Sequence, residues 1–199
     1  MTAVVHVISA TLRPDAPADA VRAAIERGRA LEAAPGARRV VIARAPADDA
    51  QPGAILVATW LDDRAALEPF AASPEHMAFV MRGLAPCIAG MWSAAVEAES
   101  EPPAADDLAG FGALWVFAVR ASDTAFEWQV RDVLHSLDDL PALVAAGPTF
   151  EERDRYRAGG VACVAAGDIE AFRGALDAAR GRWGEIALQV VDTLGTTVI

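Results

Sequence analysis

At 199 residues, with 54% apolar and 23% charged side chains, the chain has the composition of a well-cored globule rather than a disordered tail. Its formal net charge of −11 argues against nucleic acid as a partner, because binding phosphates takes a positive surface. All seventeen basic residues are Arg, which excludes Lys-based chemistry such as Schiff-base formation.

The chain opens on MTAVVHVISATLRPD, with no basic leader and no small-residue cleavage site behind an apolar core, so no signal peptide is expected. No apolar run reaches the roughly 18 residues of a membrane span. Cys87 and Cys163 are isolated in apolar stretches, as thiols are in a reducing cytoplasm. A cytoplasmic protein with no membrane partner is the expectation.

AVVHVISATL (3–12) reads as a strand of apolar and β-branched residues. A helix follows over about 17–33, with Val21, Ile25 and Leu31 on its apolar side and Pro-Gly at 35–36 ending it. Residues 37–45 and 53–61 are strands separated by a loop that holds Pro46 and Pro52. Asp62 can cap a helix beginning DDRAALEPF. Ser73-Pro74 restarts it, with Ser as cap and Pro at the first helical position, where a missing N–H costs nothing. Residues 88–98 close a βαββαβ unit.

The stretch 99–110, ESEPPAADDLAG, has the composition of a linker. Beyond it the same order returns. Residues 112–120 form a strand and Ser122 caps a helix running to about 139. LVAAGPTF is a weak second strand, 159–167 a third, Asp168 caps the next helix, and 185–194 closes the unit. Two units of one order point to duplication. Each alone would leave an apolar sheet face bare. Two such sheets facing each other within one chain form a pseudo-dimer with a barrel-like core.

His76 falls in the first helical turn after its Ser cap, where the helix N-terminus favours the neutral, proton-accepting imidazole. His6 shares a strand face with Val4, Ile8 and Ala10. If that face looks into a chamber between the halves, the two rings converge and can divide proton abstraction and carbonyl polarisation. The plainer alternatives are a hydrogen-bonded core histidine for His6 and a helix-end histidine bonded to a carbonyl for His76. His135, amid helical charges, reads as a solvated residue. Trp115 and Phe117 share strand parity and are candidates for the far wall of the chamber. Three scattered histidines and no CxxC spacing give no metal site. No phosphate-binding loop or nucleophile elbow is present.

VVHVISATLRPDA, the Pro-Gly turn and VATWLDDRAALEPFAASPEHMAFV resemble the stress-responsive dimeric α/β-barrel (Dabb) family, over about residues 3–98. The resemblance implies an α+β fold of tandem ferredoxin-like βαββαβ units forming an intrachain dimeric α/β barrel. In that arrangement 1–98 is the histidine-bearing half, 99–110 the linker and 111–199 a degenerate second half. Within the family, the first half is similar to polyketide cyclases of the olivetolic acid cyclase type. That implies a lyase-like, cofactor-free acid–base enzyme acting on a small hydrophobic or polyketide-like molecule rich in carbonyls. The catalytic residues would be His76 and His6, and the substrate walls Phe70, Phe79, Ile8, Ile55, Val57, Trp115 and Phe117, with no metal. The chain departs from the pattern at Phe70, where the family's catalytic Tyr would fall. Whether it is an enzyme at all therefore stays open. The alternatives are a non-catalytic, stress-responsive ligand-binding barrel and a cofactor-free anthrone-type monooxygenase or haem-binding relative. Further homodimerisation of the pseudo-dimer is open.

Overall fold

In the computed structural model, residues 3–47, 52–98, 101–120, 127–150, 156–184 and 189–198 are described. Strand β1 (Ala3–Leu12) is followed by α1 (Ala18–Arg29), which tightens into a 3₁₀ turn over Ala30–Ala33. Val21, Ala24, Gly28 and Leu31 are buried at helical spacing and hold α1 to the sheet. The turn into β2 (Ala37–Ala45) passes through Gly36 at φ 72°, where a Cβ would also lie 2.5 Å from that of Ala66. Strand β3 (Ala54–Leu61) leads to α2 (Leu67–Ala72), α3 (Pro74–Ala78), a π-helical turn at Phe79–Leu84 and β4 (Ile88–Ala98).

A short helix α4 (Ala105–Leu108) lies within the stretch read as a linker. The second series is β5 (Phe111–Arg120), α5 (Glu127–His135), β6 (Leu143–Pro148), β7 (Ala158–Ala165), α6 (Ile169–Gly184) and β8 (Gln189–Gly195). A two-residue strand, β9 (Thr197–Val198), follows.

The sheets are antiparallel, in the orders β4-β1-β3-β2-β9 and β6-β7-β5-β8. Each has the ferredoxin-like arrangement, with the first and third strands of its unit at the centre. The fold is α+β with two tandem ferredoxin-like units, as expected. Their inner faces meet in one cluster that includes Val5, Val7, Leu56, Ala58, Leu114, Val116, Val161 and Cys163. Both seams are bridged: β9 runs on from β8 to pair with β2, and Val96 bridges to Thr149 just after β6. These contacts cap strand edges that would otherwise present unpaired backbone groups. The helices cover the two outer faces, forming separate cores of their own.

Two expected caps differ in detail. Asp63, not Asp62, accepts the Ala66 N–H at 3.1 Å, and the Asp62 N–H pairs with the Gly36 carbonyl at the strand end. Asp168 ends a 3₁₀ turn, Ala166–Asp168, leading into α6. The expected Ser122 cap lies outside the described residues. No described helix is long and apolar enough to cross a membrane.

Candidate active site

Side chains alternate along β1, and position 6 falls on the face turned to the helices, with Val4, Ile8 and Ala10 in the same apolar cluster. In the β1–β3 ladder His6 lies directly opposite Thr59, whose strand face also carries Ile55 and Val57. Phe70 and Phe79, 1% and 0% exposed, anchor α2 and the π-helical turn over this face. Between them the chain turns at Ser73, where the backbone is extended. The Ser73 Oγ accepts the His76 N–H at 3.1 Å, and Pro74 starts α3. This cap fixes where the His76 ring hangs over the sheet.

Three rings converge there. The His6 and His76 centroids are 6.2 Å apart, His6 and Phe70 6.0 Å, and Phe70 and His76 5.1 Å. The His76 Nδ1 lies 3.0 Å from the Ala71 carbonyl oxygen. A carbonyl can only accept, so Nδ1 carries the proton and Nε2 keeps its lone pair. Burial lowers the His76 pKa below 6.5, and the Ala71 carbonyl partly offsets this. Burial, aided by His76, lowers that of His6 to about 4. Both imidazoles are therefore neutral near pH 7. The cause is loss of water around the rings.

His6 Nδ1 is enclosed and has no hydrogen-bond partner within the protein, and the same holds for Thr59 Oγ1. His6 as a residue nonetheless keeps partial exposure. Thr59 was not singled out from the sequence. Its parity with Ile55 and Val57 was legible, but its position opposite His6 depends on the strand register.

The expected location of the chamber needs correction. The rings meet between the first sheet and its own helices, not between the halves. Along β1 it is Val5 and Val7 that point to the second sheet, into a buried apolar cluster. Trp115 and Phe117 are corrected likewise. Their parity on β5 turns them to the second half's helices, where the two rings stack at 4.5 Å beside Phe172 and Trp183. They do not wall the histidine site, whereas Ile8, Ile55, Val57, Phe70 and Phe79 share its cluster. Tyr156 packs in the inter-sheet cluster, 5.8 Å from Trp92. His135 is exposed, 3.6 Å from Asp138.

A separate cavity of about 380 Å³ lies at the β2–β8 seam. Its charged groups are paired: Arg180 bridges Asp177 and Asp192, Asp192 accepts from the Trp115 Nε1 at 2.7 Å, and Arg173 pairs with Glu170. Among the described residues no cluster of three or more His, Cys, Asp or Glu could hold a metal ion.

No known family profile matches the chain, and no curated protein matches it. Solved structures do. An anthrone oxidase-like protein superposes with a TM-score of 0.62 at 13% identity, covering 100% of this chain and 91% of its own. A proposed monooxygenase from Fusobacterium nucleatum subsp. nucleatum gives 0.60 at 10% identity, covering 99% and 94%. A proposed chlorite dismutase gives 0.55 at 12% identity, covering 100% and 95%. The likeness is one of fold. It spans both units, so the tandem arrangement is itself a shared architecture.

Proposed function

We propose that the chain is a cofactor-independent acid–base enzyme that takes a proton from a C–H or O–H activated by a neighbouring carbonyl on an apolar small molecule. The observation behind this reading is the convergence of two neutral imidazoles in an apolar setting, one with its tautomer fixed by the Ala71 carbonyl. His76 Nε2 is the base. His6, beneath it on the strand, polarises the substrate oxygen on which negative charge develops. Phe70 supplies a flat apolar wall but no hydroxyl, so the Tyr-dependent part of the polyketide cyclase mechanism is replaced or absent. The carbanion has two outlets: attack on a second carbonyl of the same molecule, closing a ring, or reaction with dioxygen. The second outlet gains support from the fold's likeness to an anthrone oxidase-like protein and a proposed monooxygenase.

The test uses an anthrone and a linear poly-β-ketone as probe substrates, each followed under air and under argon. His76→Ala is expected to lower kcat/KM by about 10²–10³-fold, the range of a lost general base, with the fold intact by circular dichroism. Full activity in that variant refutes the reading. Should the variant bind the probes as tightly as an equally inactive parent, the non-catalytic ligand-binding barrel is the correct description.

A further inference from the structure

We propose that Thr59 and His6 form a clamp for a neutral substrate oxygen on the strand floor of the site, making Thr59 a substrate-positioning residue. This rests on reading the site as a small-molecule chamber. Thr59 is 1% exposed and sits directly across the β1–β3 ladder from His6. Cross-strand partners of this kind have Cβ atoms about 4.5–5.5 Å apart. Both residues face the helices, and each holds an enclosed polar atom, Thr59 Oγ1 and His6 Nδ1, with no partner in the protein. A buried polar atom without a partner costs stability, and native folds carry few of them. Two side by side, on the same face, under the ring that would act as base, form a matched pair of contacts for one oxygen.

The chemistry of that oxygen follows from the groups around it. A threonine hydroxyl donates and accepts, and a neutral imidazole offers one donor and one acceptor. Neither brings a full charge, so a carboxylate or phosphate gains no counter-ion here. A ketone oxygen can accept from both groups, and a phenol or enol can donate to one and accept from the other. The helix-side cluster to which this face belongs, with Ile8, Ile55, Val57, Phe70 and Phe79 among its members, is hydrocarbon. The ligand class is therefore an apolar ring or short chain bearing a phenolic, enolic or ketonic oxygen, seated oxygen-down with its acidic C–H or O–H toward His76.

The test is binding, not turnover. Protein labelled with ¹⁵N at histidine is titrated with phenol and with benzene, which differ only in the hydroxyl. Wild type is expected to bind phenol at least about fivefold more tightly and to show a phenol-dependent shift of the His6 ring nitrogens, in keeping with one or two net hydrogen bonds. Thr59→Val should erase most of that preference and Thr59→Ser should keep it. Free Thr59→Val should melt no lower than wild type, since it removes a hydroxyl that has no partner. Equal binding of the two probes, binding of neither, or an unchanged phenol preference in Thr59→Val overturns the proposal. So does a Thr59→Val variant that loses several degrees of stability while keeping the preference, because the hydroxyl would then serve the fold alone. An active His76→Ala variant would refute the base assignment while leaving this binding result standing.

Discussion

At the scale of single residues, the two histidines contribute to how the protein responds to acid. Both have folded-state pKa values below the 6.5 of the free side chain, so the fold favours their neutral forms. The stability they contribute is complete above pH 6.5 and is lost as pH falls, for His6 down to about 4. Between pH 7 and 4.5, urea unfolding should show a loss that shrinks by about 2–3 kcal/mol in His6→Leu relative to wild type. Carboxylates titrating in the same range are common to both proteins and cancel in that difference. Activity should follow His76 in the same direction. With His76 as the proposed base, the rate is expected to stay level through neutral pH and to decline on an acid limb below 6.5, as Nε2 takes up the proton that the proposal has it accept.

At the scale of elements, the decisive piece is the break between α2 and α3. One continuous helix from Leu67 onward would carry residue 76 along a straight axis. Instead Ser73 adopts an extended conformation, Pro74 restarts the helix, and the π-helical turn at Phe79–Leu84 returns the chain to β4. Phe70 and Phe79 bury the two ends of this excursion, leaving His76 held by two backbone contacts: its N–H to Ser73 Oγ and its Nδ1 to Ala71. Ser73→Ala removes the first of these. It should cost about 1 kcal/mol of stability, as loss of a helix cap does. If His76 is the base, as proposed, it should also lower kcat on a probe substrate more than it changes KM, because the cap holds that ring and not the apolar cluster. Equal changes in both constants would count against a positioning role for the cap.

At the scale of the whole molecule, the two sheets act as one body because their edges meet. Gly147 on β6 stands where a Cβ would come within 1.8 Å of the Glu97 carbonyl oxygen of β4, so only glycine permits this approach. Gly147→Ala must push the seam apart. It is expected to cost about 2–3 kcal/mol, which in a chain of this size lowers Tm by about 5–10 °C. A calorimetric scan of the variant checks it. The inter-sheet cluster below the seam is continuous from one half to the other, and Phe150 of the second half packs against the core that holds the histidines. The second unit therefore supports the site from behind the sheet and at its margin, without supplying the rings Trp115 and Phe117 that the sequence had suggested.

Much of this was open to reading in the chain itself. Hydrophobic periodicity and turn residues marked β1 to its terminal residues and α1 to within a few. The Ser73-Pro74 signature placed His76 just behind a cap, since caps and strand periods are local properties of the backbone. Duplication and the need to cover a bare sheet face were enough for the two-sheet architecture. What local rules could not supply was which face of β1 looks toward the second half. That depends on pairing register and on how the sheets pack, and it moved the histidine site to the helix side and turned Trp115 and Phe117 the other way. Register likewise set Thr59 against His6, and chain closure added β9 at the edge of β2. The sequence by itself determined the elements, their order and the residues capable of chemistry. The tertiary structure alone decided which of them share one space, because a strand offers two equivalent faces and only packing against distant parts of the chain chooses between them.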